Sequence, residues 1–145
     1  MKVVLQRVSH GEVEVEGEVC GKIERGYVAL VGFGCEDEEW KLEKAISKIK
    51  SLRVFPDENG KINLSVDDIS GELLLVSQFT LYADCKKGNR PGFSMAMAPD
   101  KAEAMFEKFV SLAKPHFSKV QTGIFGAHMK VSLLNDGPFT IILDF

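Results

Sequence analysis

The segment EVEVEGEVCGKI, residues 12–23, alternates valine with glutamate and then turns at a glycine. Val13 and Val15 would lie on one face of a strand, and the glutamates between them on the other. Gly17 supplies the backbone freedom that a tight turn requires. The segment therefore predicts a β-hairpin, and with it an antiparallel sheet around which the rest of the chain folds.

Further strands are predicted on both sides of this hairpin. Asn59-Gly60 is a hairpin turn signal, and Asn135-Asp136-Gly137-Pro138 reads as a turn between two strands. The segments with strand character are KVVLQRV (2–8), YVALVGF (27–33), GELLLVSQFTLY (71–82), KVQTGIF (119–125), MKVSLLN (129–135) and FTIILDF (139–145). They follow one another in hairpin order, which favours antiparallel pairing.

Two segments have helical periodicity instead. The first follows the acids 36–39, which favour a helix N-terminus, and the second opens at Pro99 and should end near Lys114, before Pro115. Their apolar stripes are Leu42, Ala45, Ile46, Ile49 and Leu52, then Ala102, Met105, Phe106, Phe109, Leu112 and Ala113. The pattern predicts an α+β fold, a mostly antiparallel sheet with two helices packed on it.

The composition favours a cytoplasmic protein that folds as one domain, residues 1–145. No apolar run approaches a membrane span or a signal peptide. The three cysteines are widely spaced, so neither a disulfide framework nor a zinc site is expected, and no cofactor is implied. A net charge of −3 excludes a global basic field, yet leaves room for local contact with an RNA end.

The segment SQFTLYADCKKGNRPGF, residues 77–93, concentrates the polar groups that chemistry requires. Lys86, Lys87 and Arg90 either keep a loop solvated or bind phosphates. The neighbouring Gln78, Phe79, Tyr82 and Phe93 favour the second interpretation, because amide and aromatic groups hold unstacked bases.

Nucleophiles in this segment have no evident base. Ser77 and Thr80 would need a nearby histidine, and none of the three histidines stands in a triad motif. The simpler interpretation makes them strand residues, with Ser77 and Phe79 on one face and Gln78 and Thr80 on the other. Cys85 is either an ordinary small residue or a thiolate activated by two lysines.

Three segments together resemble the D-aminoacyl-tRNA deacylase family, which proofreads chirality in translation. They are SQFTLYADCKKGNRPGF, TGIFGAHMKV and NDGPFTIILDF, and the opening VVLQRVSHGEVEV is similar as well. The resemblance implies a barrel-like fold that pairs as a homodimer. It also implies hydrolysis of the ester between a D-amino acid and the terminal adenosine of tRNA, with glycyl-tRNA as a further substrate.

The resemblance assigns roles residue by residue. It implies a pocket lined by Ser77, Gln78, Phe79 and Thr80, and Gly137-Pro138 as a Gly-cis-Pro dipeptide that enters the partner's pocket. Phe125 and Met129 match neighbouring pocket positions, and Arg7 matches the residue that supports the dipeptide. His128 and Phe139 depart from the family pattern; His128 is expected to change local charge without touching the pocket, and Phe139 to affect packing of the dipeptide.

The chemistry leaves alternatives open. Backbone amides of Phe79 and Thr80 are candidate oxyanion donors, while attack depends either on the Thr80 hydroxyl or on water activated by the tRNA 2′-hydroxyl. With no base evident for Thr80, the second is preferred. Two other hypotheses remain: a non-catalytic module that binds RNA ends, and a thiol hydrolase that uses Cys85.

Overall fold

A computed structural model describes all residues from 1 to 145. Eight strands and two α-helices form the chain, in the order β1 (Lys2–Val15), β2 (Glu18–Ile23), β3 (Gly26–Gly32), α1 (Trp40–Ser51), β4 (Phe55–Pro56), β5 (Ile62–Leu64), β6 (Glu72–Ser77), α2 (Pro99–Ala113), β7 (Val120–Thr122) and β8 (Lys130–Asp144). Short 3₁₀-helices follow β6 at Phe79–Tyr82 and α2 at Lys114–His116. No helix is long and apolar enough to cross a lipid bilayer.

The long strand β1 organises the sheet. Strands β2 and β3 pair antiparallel with one edge of it, from Val15 opposite Glu18 to Lys2 opposite Gly32. Strand β8 pairs antiparallel with the other edge over nearly the full length of β1. The predicted hairpin around Gly17 is therefore confirmed, and it extends further than the alternating segment alone indicated.

Two pairings in the sheet are parallel, which hairpin order did not predict. Strand β6 joins β3 in parallel, and β7 joins β6 in parallel. Helices α1 and α2 lie in the connections that lead to β6 and β7, as parallel pairing requires. A Cβ added at Gly21 of β2 would lie 2.5 Å from the Thr122 carbonyl of β7, so the sheet curls until it nearly closes. The fold is a mixed α+β architecture with a nearly closed, barrel-like sheet and two helices.

The central strands are buried on both faces. On β3, Tyr27 and Ala29 belong to the large core beneath the helices, whereas Val28 belongs to a smaller cluster inside the curled sheet. On β6, likewise, Leu73 belongs to the large core and Leu74 to the smaller cluster. Because both faces of β3 and β6 are buried, both strands consist of nearly continuous apolar residues. Both predicted helices are confirmed, with α2 starting at Pro99 and ending at Ala113.

The segment at Asn135–Pro138 is not a turn between two strands, and that prediction is wrong. β8 continues through it, pairing Asn135 with Val8 and Thr140 with Gln6. Residues 136–139 therefore form a four-residue bulge opposite Arg7. A long partner strand explains the difference, because β1 supplies hydrogen bonds on both sides of the interruption.

Candidate active site

The site begins where β6 ends. Ser77 is the last strand residue, Gln78 leaves the ladder with φ −146° and ψ 83°, and residues 79–82 wind into the 3₁₀-helix. The prediction that Ser77 and Phe79 share one strand face is therefore wrong. The neighbouring β3 ends at Gly32, and the turn packs directly onto it; a Cβ there would lie 2.7 Å from the Gln78 carbonyl oxygen.

This turn forms one wall of a cavity of about 410 Å³. Apolar side chains from β3, α2 and the loop before β8 form the rest. The lining residues are Val31, Gly32, Phe33, Val76, Ser77, Gln78, Phe79, Met97, Pro99, Ala102, Phe125, Gly126, Ala127, His128, Met129 and Val131. The volume lies within the range of small-molecule sites, and a few polar groups on apolar walls are typical of them.

Five of the residues implied by the resemblance meet in this cavity: Ser77, Gln78, Phe79, Phe125 and Met129. Thr80 does not line it. The Thr80 side chain is exposed, and its Oγ1 accepts a hydrogen bond from Nε2 of Gln78. This position does not favour Thr80 as a nucleophile, because the hydroxyl has no base beside it.

His128 lies in the cavity wall, contrary to the expectation that it would not touch the pocket. It is the only residue in the lining with an imidazole, carboxylate, amine or thiol side chain. The resemblance implied that Phe125 and Met129 lie at the pocket, yet the direction of a loop side chain such as that of His128 depends on backbone dihedrals. Gly126, with φ +74°, turns the chain just before it.

The opposite wall depends on a close approach at Gly123. A Cβ at this position would lie 2.4 Å from Sδ of Met129, so the glycine makes room for the methionine. Phe125 also packs against Phe106 of α2, with ring centroids 6.1 Å apart. Packing behind the loop therefore supports the positions of Phe125 and Met129.

Backbone amides are available at the start of the 3₁₀-helix. Its first internal hydrogen bond runs from the Leu81 amide to the Gln78 carbonyl, at 3.3 Å. The amides of Phe79 and Thr80 precede that bond and so have no acceptor within the helix. Such donors can stabilise an oxyanion that develops next to the turn.

A carboxylate network that the sequence did not reveal holds the far end of this turn. The Asp37 side chain is only 4% exposed. Its Oδ1 accepts hydrogen bonds from the Met1 amino group (2.5 Å) and Lys41 Nζ (2.6 Å), and its Oδ2 from the Gly34 amide (2.6 Å) and the Tyr82 hydroxyl (3.0 Å). Met1 and Tyr82 lie 36 and 45 positions from Asp37, so local patterns gave no signal for these two contacts.

Electrostatics favour a charged Asp37 and a neutral Tyr82 in this network. Burial opposes the charge of Asp37, but hydrogen bonds from Lys41, the amino terminus and Gly34 outweigh it and lower the pKa of the carboxyl group. Burial, followed by the neighbouring Asp37 charge, raises the pKa of the Tyr82 hydroxyl. Tyr82 therefore stays neutral and donates to Asp37 at physiological pH.

The bulge in β8 is held by Arg7. Nε of Arg7 donates to the Asp136 carbonyl at 2.7 Å, Nη1 donates to the Val54 carbonyl, and the guanidinium lies 4.8 Å from the centroid of the Phe139 ring. Gly137 and Pro138 are exposed and joined by a cis peptide bond. They do not line the cavity of their own chain.

The basic residues lie on an exposed loop and do not line the cavity. Residues 84–92 form a loop closed by two backbone hydrogen bonds between Asp84 and Gly92 (2.8 and 2.9 Å). Lys86, Lys87 and Arg90 are exposed on this loop, and none of them makes an ion pair. Cys85 is exposed there as well and does not line the cavity, which does not favour a thiol hydrolase.

The family model described as D-Tyr-tRNA(Tyr) deacylase matches residues 4–144. The chain belongs to this family. Relatives named D-aminoacyl-tRNA deacylase include proteins from Thermosipho africanus (54% identical, 99% of this chain and 97% of the relative) and Lactobacillus gasseri (54% identical, 99% of each). Membership confirms the expectation of a hydrolase that acts on ester bonds.

Two solved structures are similar to this deacylase-family chain. One, titled c-Myc DNA Unwinding Element Binding Protein, has a TM-score of 0.94 at 42% identity and covers 100% of this chain and 99% of its own. The other is a probable eukaryotic D-amino acid tRNA deacylase, with a TM-score of 0.86 at 19% identity over 99% and 98%. At that identity the second likeness shows the fold alone.

Proposed function

We propose that the chain hydrolyses the ester between a D-amino acid and the terminal adenosine of tRNA, releasing the free D-amino acid and tRNA. The enzyme would act as one domain, in the cytoplasm, where translation requires this proofreading. The observation that carries the proposal is the cavity of about 410 Å³, in which Ser77, Gln78 and Phe79 face Phe125 and Met129. A time course of ester loss from D-Tyr-tRNA and L-Tyr-tRNA tests it.

We further propose that the chain acts as a symmetric homodimer. Strand β8 pairs only with β1, so its outer edge is free, and Val131, Leu134 and Ile142 on it are exposed. A long unpaired edge with apolar side chains is a surface that a second copy can cover. Gly137 and Pro138 lie on the same strand, which supports their entry into the partner's cavity.

Selection for the D-enantiomer would follow from what this dipeptide presents. Its carbonyl groups accept hydrogen bonds from the substrate ammonium group, and Gly137 has no Cβ to prevent a close approach. An L side chain would then collide with the dipeptide, whereas a D side chain points away. Because glycine has no side chain, glycyl-tRNA would pass the same filter and is a proposed second substrate.

The proposed chemistry uses the tRNA as well as the protein. Amides of Phe79 and Thr80 would stabilise the tetrahedral oxyanion, and the ribose 2′-hydroxyl would activate the attacking water. The exposed position of Thr80 and the scarcity of acid–base groups in the cavity support this assignment. Lys86, Lys87 and Arg90 would bind phosphates of the terminal nucleotides.

Thr80→Ala is expected to keep kcat on D-Tyr-tRNA within about fivefold of the wild type, because a positioning hydroxyl contributes only about 1 kcal/mol. Single-turnover ester loss is the measurement. Ser77→Ala, in the cavity wall, is the matched hydroxyl control. A loss of about 10⁴-fold or more in Thr80→Ala alone would make Thr80 the nucleophile.

His128→Asn is expected to change kcat by less than about threefold, because the proposed chemistry assigns water activation to the tRNA 2′-hydroxyl and no step to the imidazole. Asparagine keeps a polar group in the cavity wall but cannot act as a base. The measurement is the pH dependence of kcat on D-Tyr-tRNA for both proteins. A fall of about 10²-fold or more, with loss of one limb of the profile, would identify the imidazole as general base.

A further inference from the structure

Beside the cavity, two phenylalanine side chains are exposed to solvent. Phe79 is 56% exposed and Phe93 39%. Neither packs against either core cluster. We call these two residues the aromatic rim. An exposed cluster of this kind marks a binding surface more often than an accident of packing.

The aromatic rim extends outward from the cavity. Phe79 lines the cavity, and the Phe93 ring lies edge-on to it, with centroids 4.9 Å apart and an interplanar angle of 63°. Phe93 itself does not line the cavity. A group covalently attached to a cavity ligand, and emerging past Phe79, would therefore meet Phe93 next.

The position of Phe93 is fixed by its backbone. It directly follows Gly92, whose two hydrogen bonds with Asp84 close the basic loop. Its own carbonyl accepts a hydrogen bond from the Ala96 amide at 3.0 Å. These hydrogen bonds fix the backbone of Phe93, so little conformational entropy is lost when a ligand stacks on its ring.

Charge identifies the class of ligand. The loop that ends at the aromatic rim carries Lys86, Lys87 and Arg90, and its one carboxylate, Asp84, is already bonded to the Lys86 amide. The loop is thus locally cationic, in a chain with a net charge of −3. Unpaired cations beside exposed aromatic rings are the combination that binds single-stranded nucleic acid.

From these observations we propose that the aromatic rim is a stacking site for the nucleotide that precedes the terminal adenosine of the tRNA. This inference rests on the proposed function, which puts the terminal adenosine and its amino acid in the cavity. The base of the preceding nucleotide stacks on Phe93, and its phosphate lies toward the basic loop. Stacking tolerates any base, so the site serves many tRNAs.

The test compares two substrates that differ only outside the cavity: D-Tyr-tRNA and D-tyrosyl-adenosine, which lacks the preceding nucleotide. In Phe93→Ala the ratio of kcat/KM for the tRNA to that for the nucleoside ester is expected to fall by about fivefold or more. Phe93→Tyr, which keeps an aromatic face, restores the ratio. Ile62→Ala removes another exposed apolar side chain (58%), on β5 and outside the site, and leaves the ratio unchanged.

Three results would overturn the inference. An unchanged ratio in Phe93→Ala would show that no nucleotide stacks there. An equal loss on both substrates would show that Phe93 only supports Phe79, and a change in oligomeric mass would show that a second copy covers the aromatic rim. If the wild type hydrolyses neither ester, the proposed function itself fails, and this inference fails with it.

Discussion

Gly137→Ala is expected to reduce the ratio of D-ester to L-ester hydrolysis by about a hundredfold, because small displacements of a positioning group have effects of this size. Gly137 has φ +152°, a conformation that L-residues rarely adopt. An added Cβ would lie 2.7 Å from the Phe139 amide nitrogen and 3.2 Å from Nη2 of Arg7. The bulge must shift to relieve these contacts, and the carbonyl groups proposed to select the substrate shift with it.

The measurement is single-turnover ester loss from D-Tyr-tRNA and L-Tyr-tRNA. D-ester hydrolysis is expected to slow, while L-ester hydrolysis becomes detectable. Gly60→Ala is the matched control, since Gly60 also has a positive φ (+74°) but no atom within 4 Å of the added Cβ, and it lies outside the site. If Gly137→Ala keeps the full ratio and still folds, the bulge does not select the enantiomer.

Replacing the terminal adenosine of D-Tyr-tRNA with 2′-deoxyadenosine is expected to slow hydrolysis by about a hundredfold or more, the contribution of a positioned general base. The reason is the composition of the cavity wall, which contains no carboxylate, amine or thiol and only one imidazole, that of His128. Enzymatic rates are compared after subtraction of spontaneous hydrolysis, since the 2′-hydroxyl also affects the ester in buffer.

A binding control separates chemistry from affinity. Uncharged tRNA with and without the terminal 2′-hydroxyl should inhibit the enzyme at similar concentrations. An undiminished rate on the deoxy substrate would assign water activation to the protein. His128 would then be the first residue to test, because it lies in the cavity wall and Thr80 does not.

Local sequence patterns predict much of the secondary structure. The alternation around Val13 and Val15 predicted the hairpin, and the stripe from Leu42 to Ile49 predicted α1, because burial on one face requires these periods. Which strands pair, and in which direction, cannot be predicted from such local patterns. Whether β6 lies parallel or antiparallel to β3 depends on contacts distant in sequence, and both strands are apolar throughout.

Likewise, only part of the candidate site could be predicted from the sequence. Ser77, Gln78 and Phe79 line one cavity in the structure. They were singled out through resemblance to a family, since the residues alone left a triad, a thiol and a binding module open. Thr80 lies in the 3₁₀-helix that follows Gln78 and does not line the cavity, and the residue types alone did not indicate this departure from strand geometry. The bond between Asp37 and Tyr82 joins residues 45 positions apart, which no local motif indicates.

Purified protein incubated with matched D-Tyr-tRNA and L-Tyr-tRNA, with the loss of each ester followed in time, tests the proposed deacylase activity most directly. We expect the D-ester to disappear while the L-ester survives at its spontaneous rate. Equal hydrolysis of both esters would contradict stereochemical selection. Survival of both, with adenosine-ended RNA still bound, would contradict the esterase and leave a protein that binds RNA ends.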